Sequence, residues 1–221
     1  MSDIPAEETK AQTMLEKIEV EMRGQTKDKI LDLHLDNCIG EKIEGIDEGF
    51  VSIEMISIIN SQLKSAQNLP SLPTLKILDL SVNQIEGNLK AITVCSNLHH
   101  INLSSNPIKN IEDLADLKDL QHLVSLDLYC CPVTLVEDYR DKVFELLPQL
   151  NFLDAIDREG NEMADDMEGE GEDSGGWPEI HVLESSDEEG EAAGEEETPA
   201  TETAPSARKG TKRKHTGEDT D

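Results

Sequence analysis

The chain has 221 residues, of which 48 are acidic and 19 are lysine or arginine, so its formal net charge at pH 7 is -29 and its pI is about 4.3. A polyanion of this size repels nucleic acid phosphates, which argues against direct binding of DNA or RNA. No apolar run approaches the roughly 20 residues of a membrane span, the opening MSDIPAEETK is not an apolar signal sequence, and the four cysteines show no CxxC spacing, so we expect an intracellular protein with reduced thiols.

The first predicted element is an amphipathic helix over about residues 7–23. Met14, Leu15, Ile18 and Met22 recur there at helical intervals between charged residues. A stack of repeats exposes its core at each end unless a polar-faced element covers it. We therefore expect this helix to cap the first repeat.

Five copies of the pattern LxxLxLxxN follow, which is the signature of a leucine-rich repeat with one short strand per turn of a solenoid. The clearest copies are LKILDLSVNQI at 75–85, LHHINLSSNPI at 98–108 and LVSLDLYCCPV at 123–133. The repeats start near residues 30, 53, 75, 98 and 123, a spacing of 22 to 25 residues that is typical of this class. The predicted fold class is α/β: a leucine-rich repeat solenoid with a concave parallel sheet.

The pattern also predicts which side chains are buried. Because side chains alternate along a strand, both leucines of each LxL segment point into the core and the residue between them points out. Asn83 and Asn106 lie where the chain leaves the strand, and their amides are expected to donate to and accept from buried backbone groups. Cys38, Ser61 and Cys131 hold the same place in the other repeats and substitute for asparagine less fully.

The outward strand residues form two columns on the concave face, where solenoids bind their partners. The predicted partner face consists of His34, Ser57, Asp79, Asn102 and Asp127 in the first column and Asp36, Ile59, Ser81, Ser104 and Tyr129 in the second. This mixture of acids, small polar groups and two apolar side chains suits a protein partner. The alternative is a solvated sheet face without a partner.

Residues 137–156 are predicted to close the other end of the stack. The segment EDYRDKVFELLPQL is typical of a helix that ends before Pro148, and a half-repeat follows it. The structural residues of this cap are expected to be Tyr139, Arg140, Phe144 and Asp154. We expect the arginine and the aspartate of this set to form an ion pair.

The composition changes after residue 156, which divides the chain into a repeat domain, 1–156, and an acidic tail, 157–221. Residues 157–203 hold 19 acidic residues and one basic residue, whereas 204–221 hold three acidic and five basic residues. The tail has too little apolar surface to offset the roughly 1–2 kcal/mol per residue that ordering a backbone costs. We therefore expect it to be disordered.

One tail segment, WPEIHVLESSDEE, combines apolar side chains with acids. Its apolar residues are Trp177, Ile180, Val182 and Leu183. An aromatic anchor beside carboxylates suits a basic partner, because the ring supplies contact area and the acids supply attraction and orientation. The alternative is a remnant without a binding role.

Two further motifs in the tail concern regulation and location. Ser185 and Ser186 each have an acidic residue three positions on, a pattern that suits phosphorylation by an acid-directed kinase. Lys212, Arg213 and Lys214 are typical of a nuclear localisation signal.

No residue pattern supports catalysis, a cofactor or a metal. In His99-His100 and Cys130-Cys131, adjacent strand residues point to opposite faces and no further ligand has suitable spacing, so neither pair predicts a metal site. The segment LPSLPTLKILDL at 69–80 is compatible with a leucine-rich export signal, but the core needs its leucines. We expect a monomeric, non-enzymatic interaction protein without cofactors.

Several segments together resemble the acidic leucine-rich nuclear phosphoprotein 32 family. They are Tyr139-Arg140, Val143-Phe144, LLPQL at 146–150, Leu153-Asp154 and Asp157-Arg158 in the cap, LDLHLDNC in the first repeat, and the ending KRKHTGEDTD. The tail departs from the family pattern: glycine, alanine, threonine and an apolar island interrupt acidic runs that are often nearly unbroken in the family.

The resemblance implies a nuclear chaperone that binds core histones and masks their tails from acetylation. Charge favours the same partner, because a polyanionic tail imitates DNA and attracts lysine- and arginine-rich surfaces. The resemblance also implies inhibition of protein phosphatase 2A. An adaptor for RNA-binding proteins in mRNA transport is a third hypothesis, and a spliceosomal leucine-rich subunit is a weaker one, since it does not need so acidic a tail. The expected location is the nucleus, with shuttling to the cytoplasm left open.

Overall fold

The structure, a computed structural model, describes residues 12–163. Short strands alternate with turns of 3-10 helix along most of this range. The two α-helices are α1, Met14–Met22, and α2, Tyr139–Leu146. The strands are β1, Asp32–His34; β2, Met55–Ser57; β3, Ile77–Asp79; β4, His100–Asn102; β5, Ser125–Asp127; β6, Phe152–Leu153; and β7, Ile156–Asp157. The 3-10 segments are Lys27–Lys29, Leu89–Val94, Ile111–Asp119 and Pro132–Leu135.

The strands form one sheet whose order follows the chain, and this confirms the predicted fold class. Strands β1 to β6 are parallel, and β7 turns back antiparallel to β6. The fourth residues of the five repeats lie side by side in the register Leu33, Ile56, Leu78, Ile101 and Leu126, and all five are fully buried. The predicted inward direction of these side chains is therefore confirmed.

The asparagines that follow the strands of two repeats bond to the backbone as the pattern predicts. The side-chain oxygen of Asn83 accepts from the backbone N–H groups of Ser61 and Leu63, at 3.0 Å each, and its nitrogen donates to three carbonyls. Asn106 accepts from one backbone N–H and donates to three carbonyls. The Cys131 thiol donates to a single carbonyl, that of Leu103 at 3.2 Å, whereas each asparagine amide reaches three, which agrees with its expected partial substitution.

Helix α1 is shorter than the sequence analysis predicted. Thr13 is extended and caps the helix: its hydroxyl accepts from the backbone N–H of Glu16, while the Glu16 carboxylate accepts from the backbone N–H of Thr13. This capping box starts the helix at Met14, so the predicted start near residue 7 is wrong. Leu15 is also misassigned, because it is 54% exposed whereas Met14 and Ile18 are buried. The signal in the sequence was the spacing of Thr13 and Glu16.

The two ends of the repeat stack are covered, as predicted. Met14 and Ile18 of α1 join the core at the first repeat, and Tyr139, Val143 and Phe144 of α2 join it at the last. No helix within residues 12–163 is both long and apolar enough to cross a membrane.

Candidate functional site

The structure places all ten residues of the predicted partner face on one side of the sheet. In the strand register, each residue of the first column lies beside the next one on the neighbouring strand, in the order His34, Ser57, Asp79, Asn102 and Asp127. Backbone hydrogen bonds continue beyond the strand ends along the second column, which consists of Asp36, Ile59, Ser81, Ser104 and Tyr129. We name this side the strand face. Its geometry agrees with the prediction, while its role as a partner face stays a prediction.

A third column lies on the same side and was missed in the sequence. It consists of Asp32, Met55, Ile77, His100 and Ser125. These residues come two positions before the first column, and strand side chains two positions apart share a face. The same alternation that predicted the first two columns could therefore have found it.

The middle of the strand face is more buried than an open polar surface. Ser57, Asp79 and Asn102 are buried, whereas Tyr129 at one end of the second column is 70% exposed. The buried polar side chains of the strand face therefore form hydrogen bonds with each other and with the backbone. The hydroxyl of Ser57 donates to Asp36 at 2.5 Å, and the Asn102 amide donates to Asp79 at 3.0 Å.

In the first column, the charged forms of Asp79 and Asp127 are electrostatically unfavourable. Burial is the main cause that raises the pKa of Asp79, although hydrogen bonds from Ser81 and Asn102 oppose the shift. Burial also raises the pKa of Asp127 to about 6, with further contributions from the carboxylates of Asp154 and Asp79. None of the ion pairs formed by the described residues includes Asp79, Asp127 or Asp154.

His100 supplies no compensating charge at physiological pH. It lies opposite Ser125 in the neighbouring strand and is 3% exposed. Burial lowers the pKa of its imidazole to about 4, because the charged form loses its hydration. The strand face therefore keeps a negative local potential from its aspartates.

The cap residues are brought together, but with different partners from those predicted. The Tyr139 hydroxyl donates to Asp154 at 3.0 Å, and the other Asp154 oxygen accepts from the backbone N–H of Leu128 at 2.7 Å. Burial and the Asp154 carboxylate raise the pKa of Tyr139, which therefore stays protonated. The Phe144 ring lies beneath two guanidinium groups, 5.4 Å from that of Arg140 and 4.5 Å from that of Arg158.

The predicted ion pair between Arg140 and Asp154 is wrong. The Arg140 guanidinium donates instead to the backbone carbonyls of Leu153, Ile156 and Asp157, at 2.8 to 3.1 Å. These carbonyls lie at the end of β6 and in β7, and a carbonyl that loses water without gaining a donor is costly. The Arg140 guanidinium therefore bonds to the backbone, while the Tyr139 hydroxyl and the backbone N–H of Leu128 donate to Asp154.

No cluster of three or more His, Cys, Asp or Glu residues within 12–163 could hold a metal ion. Cys38, Cys95 and Cys131 are buried free thiols and Cys130 is an exposed one. His99 stacks on His122, with ring centroids 5.8 Å apart, rather than pairing with its chain neighbour His100.

The other predicted sites lie outside the described residues, and so does most of the predicted acidic tail. They are the tail anchor Trp177, Ile180, Val182 and Leu183, the phosphorylation sites Ser185 and Ser186, and the localisation residues Lys212, Arg213 and Lys214. All of these stay predictions.

Comparison with known proteins agrees with the fold described above. Residues 14–168 match the leucine-rich repeat family. The chain is similar to a chain of the Drosophila melanogaster SNF/U2A′ complex, with 25% identity and a TM-score of 0.53 over 71% of this chain and 87% of that one. A Listeria monocytogenes internalin matches at 16% identity with a TM-score of 0.42, over 63% of this chain and 54% of that one.

The family match covers more than half of the chain and coincides with the strands, the buried leucine columns and the two caps. Stacked repeats of this kind present an extended surface on which proteins bind. The chain therefore belongs to the leucine-rich repeat family and carries its protein-interaction domain.

Proposed function

We propose that this chain is a non-enzymatic nuclear protein that binds core histones, shields them as a chaperone and regulates their acetylation. One observation carries the proposal: a protein-interaction domain is joined in one chain to residues 157–203, which hold 19 acidic residues and one basic residue. The resemblance to the acidic leucine-rich nuclear phosphoprotein 32 family, seen in the cap, the first repeat and the basic ending, supports the same partner.

The proposed mechanism divides affinity from specificity. The acidic segment imitates the charge of DNA and attracts lysine- and arginine-rich histone surfaces over a long range. The strand face, with Asp79 and Asp127 uncompensated by any cation of the described residues, supplies a shaped second contact. Trp177 and its apolar neighbours would add an apolar contact within the acidic segment, and Lys212, Arg213 and Lys214 would direct the chain to the nucleus.

The test compares the full chain with a chain that ends at residue 163, which keeps β7 and Arg158, each incubated with purified core histones at low and high salt. Screening acts over about 8 Å at physiological ionic strength, so the affinity of the full chain should fall steeply as salt rises. A full-length control with the acids of 164–203 changed to asparagine and glutamine keeps the length and the folded cap and removes the charge. Equal histone affinity in all three proteins would refute the role of the tail.

One observation favours a second candidate, an adaptor that holds another protein through the folded repeats alone. The chain is 25% identical to one that is part of the SNF/U2A′ complex. Applied to RNA-binding proteins, this function predicts pull-down that survives nuclease treatment, high salt and removal of the tail. Inhibition of protein phosphatase 2A, which the family resemblance implies, is measured with the same proteins in a phosphatase assay.

A further inference from the structure

Three residues of β5 and its extension stand apart from the rest of the strand face. Ser125, Asp127 and Tyr129 occupy alternate positions, and backbone hydrogen bonds from Leu103 to the Asp127 carbonyl and from Ser105 to the Tyr129 carbonyl keep the segment in the ladder, at 2.9 and 2.8 Å. Their side chains therefore share one side of the sheet, with about 6.5 Å between successive members.

Asp127 accepts no hydrogen bond from the described residues, because its neighbours on both sides are committed elsewhere. On one side, the Asn102 amide nitrogen donates to Asp79 and its oxygen accepts from the backbone N–H of Ser104. On the other side, the Tyr139 hydroxyl and the backbone N–H of Leu128 both donate to Asp154. A half-buried carboxylate without donors has lost part of its hydration and received nothing in exchange.

Ser125 provides a second, independent sign that this part of the surface is incomplete. It is 1% exposed, and its hydroxyl has no hydrogen-bond partner among residues 12–163. Native proteins pair almost all of their buried polar side-chain atoms, so an unpaired hydroxyl calls for a physical reason. Here it lies two positions from the unsatisfied carboxylate, on the same face.

The charge of the missing group follows from the surroundings. Asp79 and Asp154 add their negative charges to that of Asp127, and His100 is neutral above about pH 4. All six ion pairs of the described residues lie elsewhere, and no metal-binding cluster is present within the same range. The group that fits is therefore an organic cation with several N–H donors.

Tyr129 selects among such cations. Tyr129 is 70% exposed and lies two residues after Asp127, on the same side of the sheet. A guanidinium group can donate two hydrogen bonds to a carboxylate and lie flat on an aromatic ring, whereas an ammonium group is a compact point charge. We propose that Ser125, Asp127 and Tyr129 form a docking point for one arginine side chain of a basic protein segment. This inference rests on the proposed function, because it takes the partner to be a basic protein.

The experiment uses the full chain, labelled for NMR, and two probes: the acetylated, amidated peptide Gly-Ser-Arg-Ser-Gly and its counterpart with lysine in place of arginine. A single cation per peptide keeps attraction to the acidic residues elsewhere weak, and the amide signals of residues 125–129 report the docking point itself. The arginine peptide should shift these signals in a saturable way and lower the pKa of Asp127, and it should bind more tightly than the lysine peptide.

Variants separate the docking point from general charge. Asp127→Asn should weaken arginine binding at residues 125–129 by about tenfold or more. Asp32→Asn is the matched control, because Asp32 is exposed on the same face but four strands away, about 19 Å, and it should change nothing there. Tyr129→Ala should weaken arginine binding and remove the preference over lysine. Far-UV circular dichroism checks that each variant is folded.

Equal shifts for wild type and Asp127→Asn would overturn the docking point, as would equal binding of the two peptides to the wild type. The histone assay separates this outcome from the proposed function. If histones bind the full chain but residues 125–129 ignore arginine, the docking point fails and the proposed function stands. If residues 125–129 bind arginine and histones are not retained, the docking point stands and the proposed function fails.

Discussion

Asn83 offers the sharpest test of how neighbouring repeats are held together. Its side chain lies at the end of one strand and is only 7% exposed, so water cannot replace the bonds it makes. Its oxygen accepts from the backbone N–H groups of Ser61 and Leu63, which belong to the preceding repeat. Replacing Asn83 with alanine leaves both donors buried and unpaired.

The expected cost follows from the number of donors that are left. An unpaired buried group costs about 1–3 kcal/mol, so Asn83→Ala should lower the free energy of unfolding by about 2–6 kcal/mol. Asn106 is the matched control, since it occupies the same place in the next repeat but accepts from one backbone N–H, that of Ile85 at 3.0 Å. Asn106→Ala should therefore cost about 1–3 kcal/mol.

The assay is urea unfolding of the full chain, followed by far-UV circular dichroism. Both variants should shift the midpoint to lower urea without changing the slope m, because the surface exposed on unfolding stays the same. The prediction concerns the order of the two costs as well as their size. An Asn106→Ala cost equal to or above that of Asn83→Ala would refute this reasoning about unpaired donors.

Three further changes test other parts of the structure. The pKa of Asp127 is about 6 in the folded chain, above its ordinary value of 3.8. The protonated carboxyl therefore contributes its full stability to the fold below pH 4, and that contribution is lost as the pH rises through 6. Asp127→Asn should therefore be more stable than wild type by about 1–2 kcal/mol at pH 7.5 and equal to it at pH 3.5 in urea titrations; a gain independent of pH would contradict this. Tyr139→Phe removes the donor to Asp154 and should cost about 1.5–3 kcal/mol, so an unchanged unfolding midpoint would show that the bond is weak. Thr13→Ala removes the capping box of α1 and should cost about 0.5–2 kcal/mol in the same assay, with Thr13→Ser as the control that keeps the cap.

The strand face thus combines a centre whose polar groups are paired with a β5 side whose polar groups are not. The buried centre satisfies its own polar groups, as the bond from Asn102 to Asp79 shows. At the β5 side, Asp127 and Ser125 are left without partners among the described residues, and Tyr129 is exposed beside them. Removing the charge of Asp127 is expected to strengthen the fold and to weaken the proposed contact, which links the two predictions made for this residue.

The sequence by itself determined the repeat architecture. Leucines at fixed offsets must be buried together, and strand alternation leaves one register in which Leu33, Ile56 and Leu78 stack. The asparagine bonds followed for the same reason, because a buried turn must pair its backbone groups and Asn83 carries both a donor and an acceptor. The family likewise follows from a pattern that recurs five times.

The tertiary structure alone decided which polar side chains find partners. Periodicity tells inward from outward, but it does not show that Arg140 reaches three carbonyls and leaves Asp154 to Tyr139. It also does not show that Asn102 turns toward Asp79 and away from Asp127, two residues that lie 23 and 25 positions from it along the chain. Pairing depends on distance and direction between residues far apart in sequence, and these become defined only when the repeats stack.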